Sequence, residues 1–385
     1  MSRSKPSEQI KALLARFEGI TDIRIERKKL YPLNEILFLS ISAVISGYSE
    51  WDEIVDFGEE KLEWLQQYLP YENGIPSHDT VNRVLGLIDY RSFESFFIDW
   101  VESLTVSLGG KVINIDGKKL RSSVDKHLQQ TSHKEGGKSA IHLVEAWCSE
   151  VNLCLGQYKT EDKSNEITAI PALLDMLEIS GSTITIDAMG CQREIAGNII
   201  KKEADYILGL KDNQPTLYAA VQQLFAQLQD FEDSDIQESF GHGRFDVRHC
   251  RTLSAALLDE STRTQWPGLN MLIEIESERF IQTSQQYSVE YRYYLGSKIQ
   301  GAAQCNEQIR QHWAIENQLH WTMDVTFGED ASRKRKNNAA QNFGLFRRMA
   351  LNLLKTNGEK EKVSINRRMN RCALSDKYRE NTLKF

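Results

Sequence analysis

The chain has 385 residues, 41% of them hydrophobic and 26% charged, which is enough for a large core and for two or three domains. Its most continuous apolar run, residues 36–47, falls short of the roughly 20 residues a membrane-spanning helix needs. The stretch MSRSKPSEQIKALLARFEG has no long apolar segment of a secretion signal, so no signal peptide is read there and a cytoplasmic protein is expected. Six scattered cysteines without a CxxC pair argue for reduced thiols, against a disulfide framework and against a zinc ribbon. The net charge of −7 is uneven. Residues 331–385 hold 15 Lys/Arg against 4 Asp/Glu, or +11, leaving −18 on the rest. A basic tail on an acidic body fits either a polyanionic partner or a solvated face.

In chain order, residues 8 to about 105 have helix-period apolar spacing, as in LNEILFLSISAVIS and RSFESFFIDWVESLTV. GIPSHDTVNRVLGLI opens with a Ser77/Asp79 cap signal and fits an ordinary helix or the second helix of a helix-turn-helix. After SLGG the texture changes. KVINIDG, AIHLVEAWCSE and CLGQYKTED are predicted strands, rich in β-formers and separated by turns. Helix and strand then alternate through EITAIPALLDMLEI, STITIDAMG, CQREIAGNIIKKEA, DYILGLKDN and PTLYAAVQQLFAQLQ. This order implies a mixed α/β sheet with flanking helices. Between about 228 and 300, MLIEIESERF and YSVEYRYYLGS alternate with period two, the mark of a β-rich insertion. His242, Arg244 and Arg248 there suggest a charged loop. HWAIENQLHWTMDVTFGED (312–330) is a predicted helix packing through Trp313, Ile315, Leu319 and Met323, and NNAAQNFGLFRRMALNLLK is another.

Two strands end alike, INID at 113–116 and ITID at 184–187. Their isoleucines face one side; Asp116 and Asp187 fall on the other, at the carboxyl edge where open α/β sheets take ligands. A single aspartate there is often only a turn cap. If the two strands are neighbours, the carboxylates converge, repel each other, and favour a hard divalent cation. Glu316 sits on the apolar helix, where an unpaired buried carboxylate is costly. Pointing at Asp116 and Asp187, it completes a set able to hold two Mg²⁺ ions for phosphodiester chemistry. His312, Glu316 and His320 also admit a zinc or transition-metal site, but i to i+8 spans about 12 Å of helix axis, too far for one ion. The histidines otherwise pair with carboxylates or contact phosphate.

The chain resembles insertion-sequence transposases of the DD-E class, most closely the H-repeat-associated proteins of Rhs elements. The likeness runs through LNEILFLSISAVISGYSEWDEIVDFGEEKLEWL, GIPSHDTVNRVL, NIDGKKLRSS, KSNEITAIPALL, TIDAMGCQREIA, LGLKDNQPTLY, GHGRFDVR and RQHWAIENQLHWTMDVTFGEDASRKR. It implies a helical transposase-associated domain over 1–107 with possible DNA binding, a ribonuclease-H-like catalytic domain over 108–355 and a basic tail over 356–385. It implies Asp116, Asp187 and Glu316 as catalytic metal ligands, two Mg²⁺ or Mn²⁺ ions, and cleavage and joining of element ends by a DNA-bound homodimer. A metal-dependent nuclease, or a retired copy that only binds DNA, are the alternatives. Related transposases surround the glutamate with Tyr-x2-Arg-x3-Glu-x6-Lys; here those positions are Ile309, His312 and Met323. DNA contacts are therefore expected from His312, Arg310, Arg333, Lys334 and Arg335, from Lys118, Lys119 and Arg121 after Asp116, and from Lys211 and Asn213.

Overall fold

The computed structural model describes residues 8–105, 107–120, 141–160, 166–228, 230–241, 243–334, 336–356 and 362–384. Nine strands form one sheet: β1 (Val112–Leu120), β2 (Ile141–Cys148), β3 (Leu153–Lys159), β4 (Thr183–Ile186), β5 (Asp205–Leu210), β6 (Asp233–Gly241), β7 (Arg244–Ser254), β8 (Met271–Ile281) and β9 (Gln286–Gly296). The order is β3-β2-β1-β4-β5-β9-β8-β7-β6. β1, β4 and β5 run parallel, β2 is antiparallel to β1, and β9 joins β5 antiparallel. The insertion therefore extends the sheet rather than standing apart from it. Its first hairpin, β6–β7, replaces the expected charged loop; neither strand carries a buried apolar face along most of its length, so the sequence pattern is faint.

β1 and β4 bury Ile113, Ile115, Ile184 and Ile186. The Glu166–Met176 helix packs on one face of the sheet, against β2 and β3. The Ala302–His312 helix covers the other, against β1, β4 and the strands of the insertion. N-terminal helices surround Leu33–Ile45, in which twelve of thirteen residues are buried, as its continuous apolar run requires.

The Ala339–Thr356 helix joins the two regions. Asn352 takes both backbone groups of Cys154 on β3, each at 2.9 Å, and Asn342 donates to the carbonyls of Leu85 (2.7 Å) and Ile88 (3.0 Å). The basic tail is not a solvated arm. Helices Ile365–Leu374 and Asp376–Leu383 pack back on the N-terminal region. Arg379 is fully buried with its guanidinium 4.1 Å from the Trp64 ring, and Asp376 pairs with Lys61 at 3.1 Å. Lys334, Arg347, Arg348, Arg368 and Arg379 of the basic region are drawn into packing, while Arg333, Lys336, Lys362, Arg367 and Lys377 stay exposed.

Candidate catalytic cleft

β4 ends at Ile186, opposite Ile115, while β1 continues to Leu120. Asp116 is therefore not the last residue of its strand, as expected, but the first beyond the reach of β4. Asp187 immediately follows β4. The two lie side by side where the parallel pairing stops. Beneath them Thr185 Oγ1 donates to Asn114 Oδ1 at 2.8 Å and contacts His312 Nδ1 at 3.0 Å. This contact seats the end of the Ala302–His312 helix over the strand ends. Asp116, Asp187 and Glu316 line one cleft of about 500 Å³, together with Lys211, His312 and Trp313.

The expected single α-helix over 312–330 is interrupted. Ile315–His320 and Thr322–Thr326 are π-helical turns, with i→i+5 bonding. Ile315, Leu319 and Met323 are buried as predicted, but Trp313 is 39% exposed. Glu316 is exposed as well, so the burial cost invoked for it does not apply. The least exposed of the three carboxylates is Asp116, whose side chain is 18% exposed. Burial pushes it up to about 7, and the charges of Asp187 and Glu316 push the same way, against the opposing pull of His320.

Asp116 sits directly across from Glu145 on β2, a like-charge pair that is destabilising unless neutralised. His320 bridges them, Nδ1 at 3.7 Å from Asp116 and Nε2 at 3.1 Å from Glu145. Burial opposes the imidazolium, but Glu145 and Asp116 raise the His320 pKa above its ordinary value. Glu145 is fully buried, yet Arg348 at 2.5 Å and His320 together hold it down to about 2. Arg348 also takes Glu329 at 2.5 and 3.0 Å. Glu329 pairs with Lys118 at 3.0 Å, and Lys118 with Asp324 at 2.7 Å. A buried chain of alternating charges thus underlies the cleft floor. Sequence reading missed it, because arginine and glutamate are ordinarily assigned to the surface.

The remaining expected DNA contacts divide. Lys211, Arg310 and Arg333 are exposed. Lys118 is buried and spent on Asp324 and Glu329, so it is not a strand contact. Lys119 is exposed, but strand alternation turns it to the face opposite Asp116. Asn213 spends its amide on the Ala188 carbonyl at 2.7 Å, and so clamps the turn after Asp187. Burial lowers His312 to about 4, so its ring is neutral and offers phosphate no charge. Lys334 is buried against Trp51 and Phe343, both rings at 4.6 Å, with Glu50 at 3.2 Å, and is no DNA contact. Arg121, Arg335 and His242 lie outside the described residues.

Glu166, which opens its helix inside KSNEITAIPALL, is a further carboxylate that was not singled out. Its carboxyl group occupies the space a side chain at position 117 would need, so any residue larger than glycine beside Asp116 would displace it. Burial raises the Glu166 pKa, with a contribution from Asp187. At Gly209 of β5, an added Cβ would stand 3.1 Å from the Ala188 backbone nitrogen, so glycine is needed for this close approach too.

Comparison with known proteins adds the family. Residues 14–101 match the DDE_Tnp_1-associated family, and residues 107–353 match the family described as transposase DDE domain. The chain is 40% identical over 378 residues to "Putative transposase YncI" of Escherichia coli O157:H7, covering 97% of this chain and 95% of that one. It is 40% identical over 377 residues to "H repeat-associated putative transposase YhhI" of Escherichia coli strain K12, covering 96% and 97%. A cryo-EM structure of the piggyBac transposase synaptic complex with hairpin DNA aligns at TM-score 0.43 and 12% identity, over 100% of this chain and 80% of that one, too slight a likeness to argue from. The chain belongs to the DDE transposase family, and its relatives include H repeat-associated transposases.

Proposed function

We propose that this protein is a DNA transposase that cleaves and joins the ends of a mobile element by metal-dependent phosphoryl transfer on a ribonuclease-H-like sheet. The observation that carries this is the convergence of Asp116, Asp187 and Glu316 on one cleft at the point where parallel β1 and β4 stop pairing. The strand order β3-β2-β1-β4-β5 with an antiparallel β2 supports the fold assignment.

The residues fit a pair of hard cations. The donors are all carboxylate oxygens, and the upward shift of Asp116, to which Asp187 and Glu316 contribute, is a strain that a cation relieves. Among the described residues, no three His, Cys, Asp or Glu side chains stand close enough to hold one ion between them. A two-ion site does not require it, since Asp116, Asp187 and Glu316 would hold the ions between them and water and phosphate oxygens would supply the other ligands. Bound there, the ions would activate the attacking water or 3′-hydroxyl and stabilise the leaving oxygen.

The protein's part is positioning and charge. His320 holds Asp116 in place and ties it to Glu145. Asn213 and the close approach of Gly209 fix the Asp187 turn. Lys211 brings a cation to the cleft wall, where a strand's phosphates would pass.

The test is incubation of the full chain with labelled DNA carrying its own element's ends and Mg²⁺ or Mn²⁺. Metal-dependent nicking with joined products is expected, and Asp116→Asn, Asp187→Asn and Glu316→Gln should each abolish it, since cluster ligands act as a unit. Cleavage without joining would indicate a nuclease. DNA binding without cleavage or metal uptake would indicate a retired transposase.

A further inference from the structure

The cleft does not end at Glu316. A second groove lies beside it between the insertion strands and the Ala302–His312 helix, and Glu290, Arg292 and Trp313 line both. Five arginines line this second groove: Arg244 and Arg248 of β7, Arg279 of β8, Arg292 of β9 and Arg310 of the helix. Three carboxylates accompany them, and each already has a partner. Asp246 takes Arg244 at 3.4 Å and Arg279 at 2.6 Å. Glu290 takes Arg292 at 2.8 Å, and Glu278 takes Tyr287 at 2.5 Å and His249 at 3.3 Å.

Arg248 and Arg310 have no carboxylate partner among the described residues. Arg248 Nε donates to Asn306 Oδ1 at 3.1 Å, while its Nη2 is buried with no acceptor. A buried guanidinium NH₂ without an acceptor is costly, so it marks the place of a missing one. Arg248, Arg292 and Arg310 line the same groove, and burial lowers the Arg248 pKa, with Tyr294 opposing and the charges of Arg310 and Arg292 adding to the lowering. Proteins gather like charges so where an anion is to be bound, and the planar guanidinium fork suits phosphate.

We propose that this groove holds the phosphodiester backbone of the DNA strand that continues out of the catalytic cleft, with Arg248 and Arg310 as its phosphate contacts. This deepens the transposase assignment and rests on it. The insertion is then the part of the sheet that sets the path of DNA beyond the carboxylates.

The test is fluorescence-anisotropy titration of the full chain with a duplex of arbitrary sequence, and with one of its strands alone, over a salt series. Arg310 is exposed, so Arg310→Gln should fold normally; Arg248→Gln is checked by its melting curve and set aside if it does not fold. Each variant should flatten the slope of log K against log salt by about 0.9 on duplex or about 0.7 on single strand, and weaken duplex binding about eightfold at 0.1 M salt. Whichever substrate shows the loss identifies the form of DNA in the groove. If the unaltered chain binds DNA and Arg310→Gln keeps the same slope on both substrates, the groove assignment is overturned and the transposase assignment stands. If the unaltered chain binds neither, both are overturned.

Discussion

At the scale of single residues, the cleft is governed by one half-buried carboxylate and two exposed ones. Asp116 titrates near 7 in the metal-free chain, against an ordinary value of 3.8. The sign follows directly. A carboxyl group whose folded pKa is raised costs stability as pH climbs from its unfolded pKa through its folded one. With metal chelated, Asp116→Asn should therefore match the unaltered chain near pH 4 and exceed it above pH 7, by up to about 4 kcal/mol at about 1.36 kcal/mol per unit. Melting curves across this range check it, and a variant less stable at pH 8 would count against the burial argument. Glu316→Gln, on an exposed side chain, should change the melting temperature little while abolishing nicking. Gly117→Ala tests the tight approach of Glu166. Its Cβ would displace that carboxylate, and a loss of nicking with little change in melting temperature is expected, whereas full activity would show that Glu166 moves aside freely.

At the scale of elements, the sequence was most legible where apolar residues alternate with a clear period. INID and ITID announced themselves because β-branched residues line one face and polar ones the other, but the convergence of their aspartates depended on the two strands being neighbours, which the parallel pairing of β1 with β4 shows. The β6–β7 hairpin was not legible, since most of its residues are partly or wholly exposed on both faces. The π turns were hidden as well. A four-residue recurrence of His312, Glu316, His320 and Asp324 suits an α-helix on paper, and only backbone bonding shows the wider turn. The Ala339–Thr356 helix looked merely amphipathic, yet Arg348 on it is a fully buried link between Glu145 and Glu329. Arg348→Met removes the guanidinium that holds both carboxylates and should cost about 3–5 kcal/mol, as breaking a buried pair does. Chemical denaturation would measure this. A loss under 1 kcal/mol would mean that His320 and Lys118 suffice to neutralise the pair.

At the scale of the whole molecule, the charge asymmetry visible in the sequence resolves into a different layout from the expected tail. Arg347, Arg348, Arg368 and Arg379 of the last fifty residues are drawn inward while Lys336, Lys362, Arg367 and Lys377 stay exposed, and a further cationic surface lies along the arginine-lined groove. Composition could not reveal this, because it counts charges without saying which are packed. A chain ending at residue 356 would lose the helices that bury Met369, Cys372 and Leu383 against the N-terminal region. It should melt at a lower temperature and aggregate, where a solvated tail would leave the melting curve unchanged.

The catalytic assignment is tested most directly by Mn²⁺ uptake, measured by electron paramagnetic resonance on the full chain bound to duplex DNA at neutral pH. Two ions per unaltered chain are predicted, with fewer than two for each of Asp116→Asn, Asp187→Asn and Glu316→Gln. Equal uptake by the unaltered chain and all three variants would contradict the assignment of these carboxylates as metal ligands.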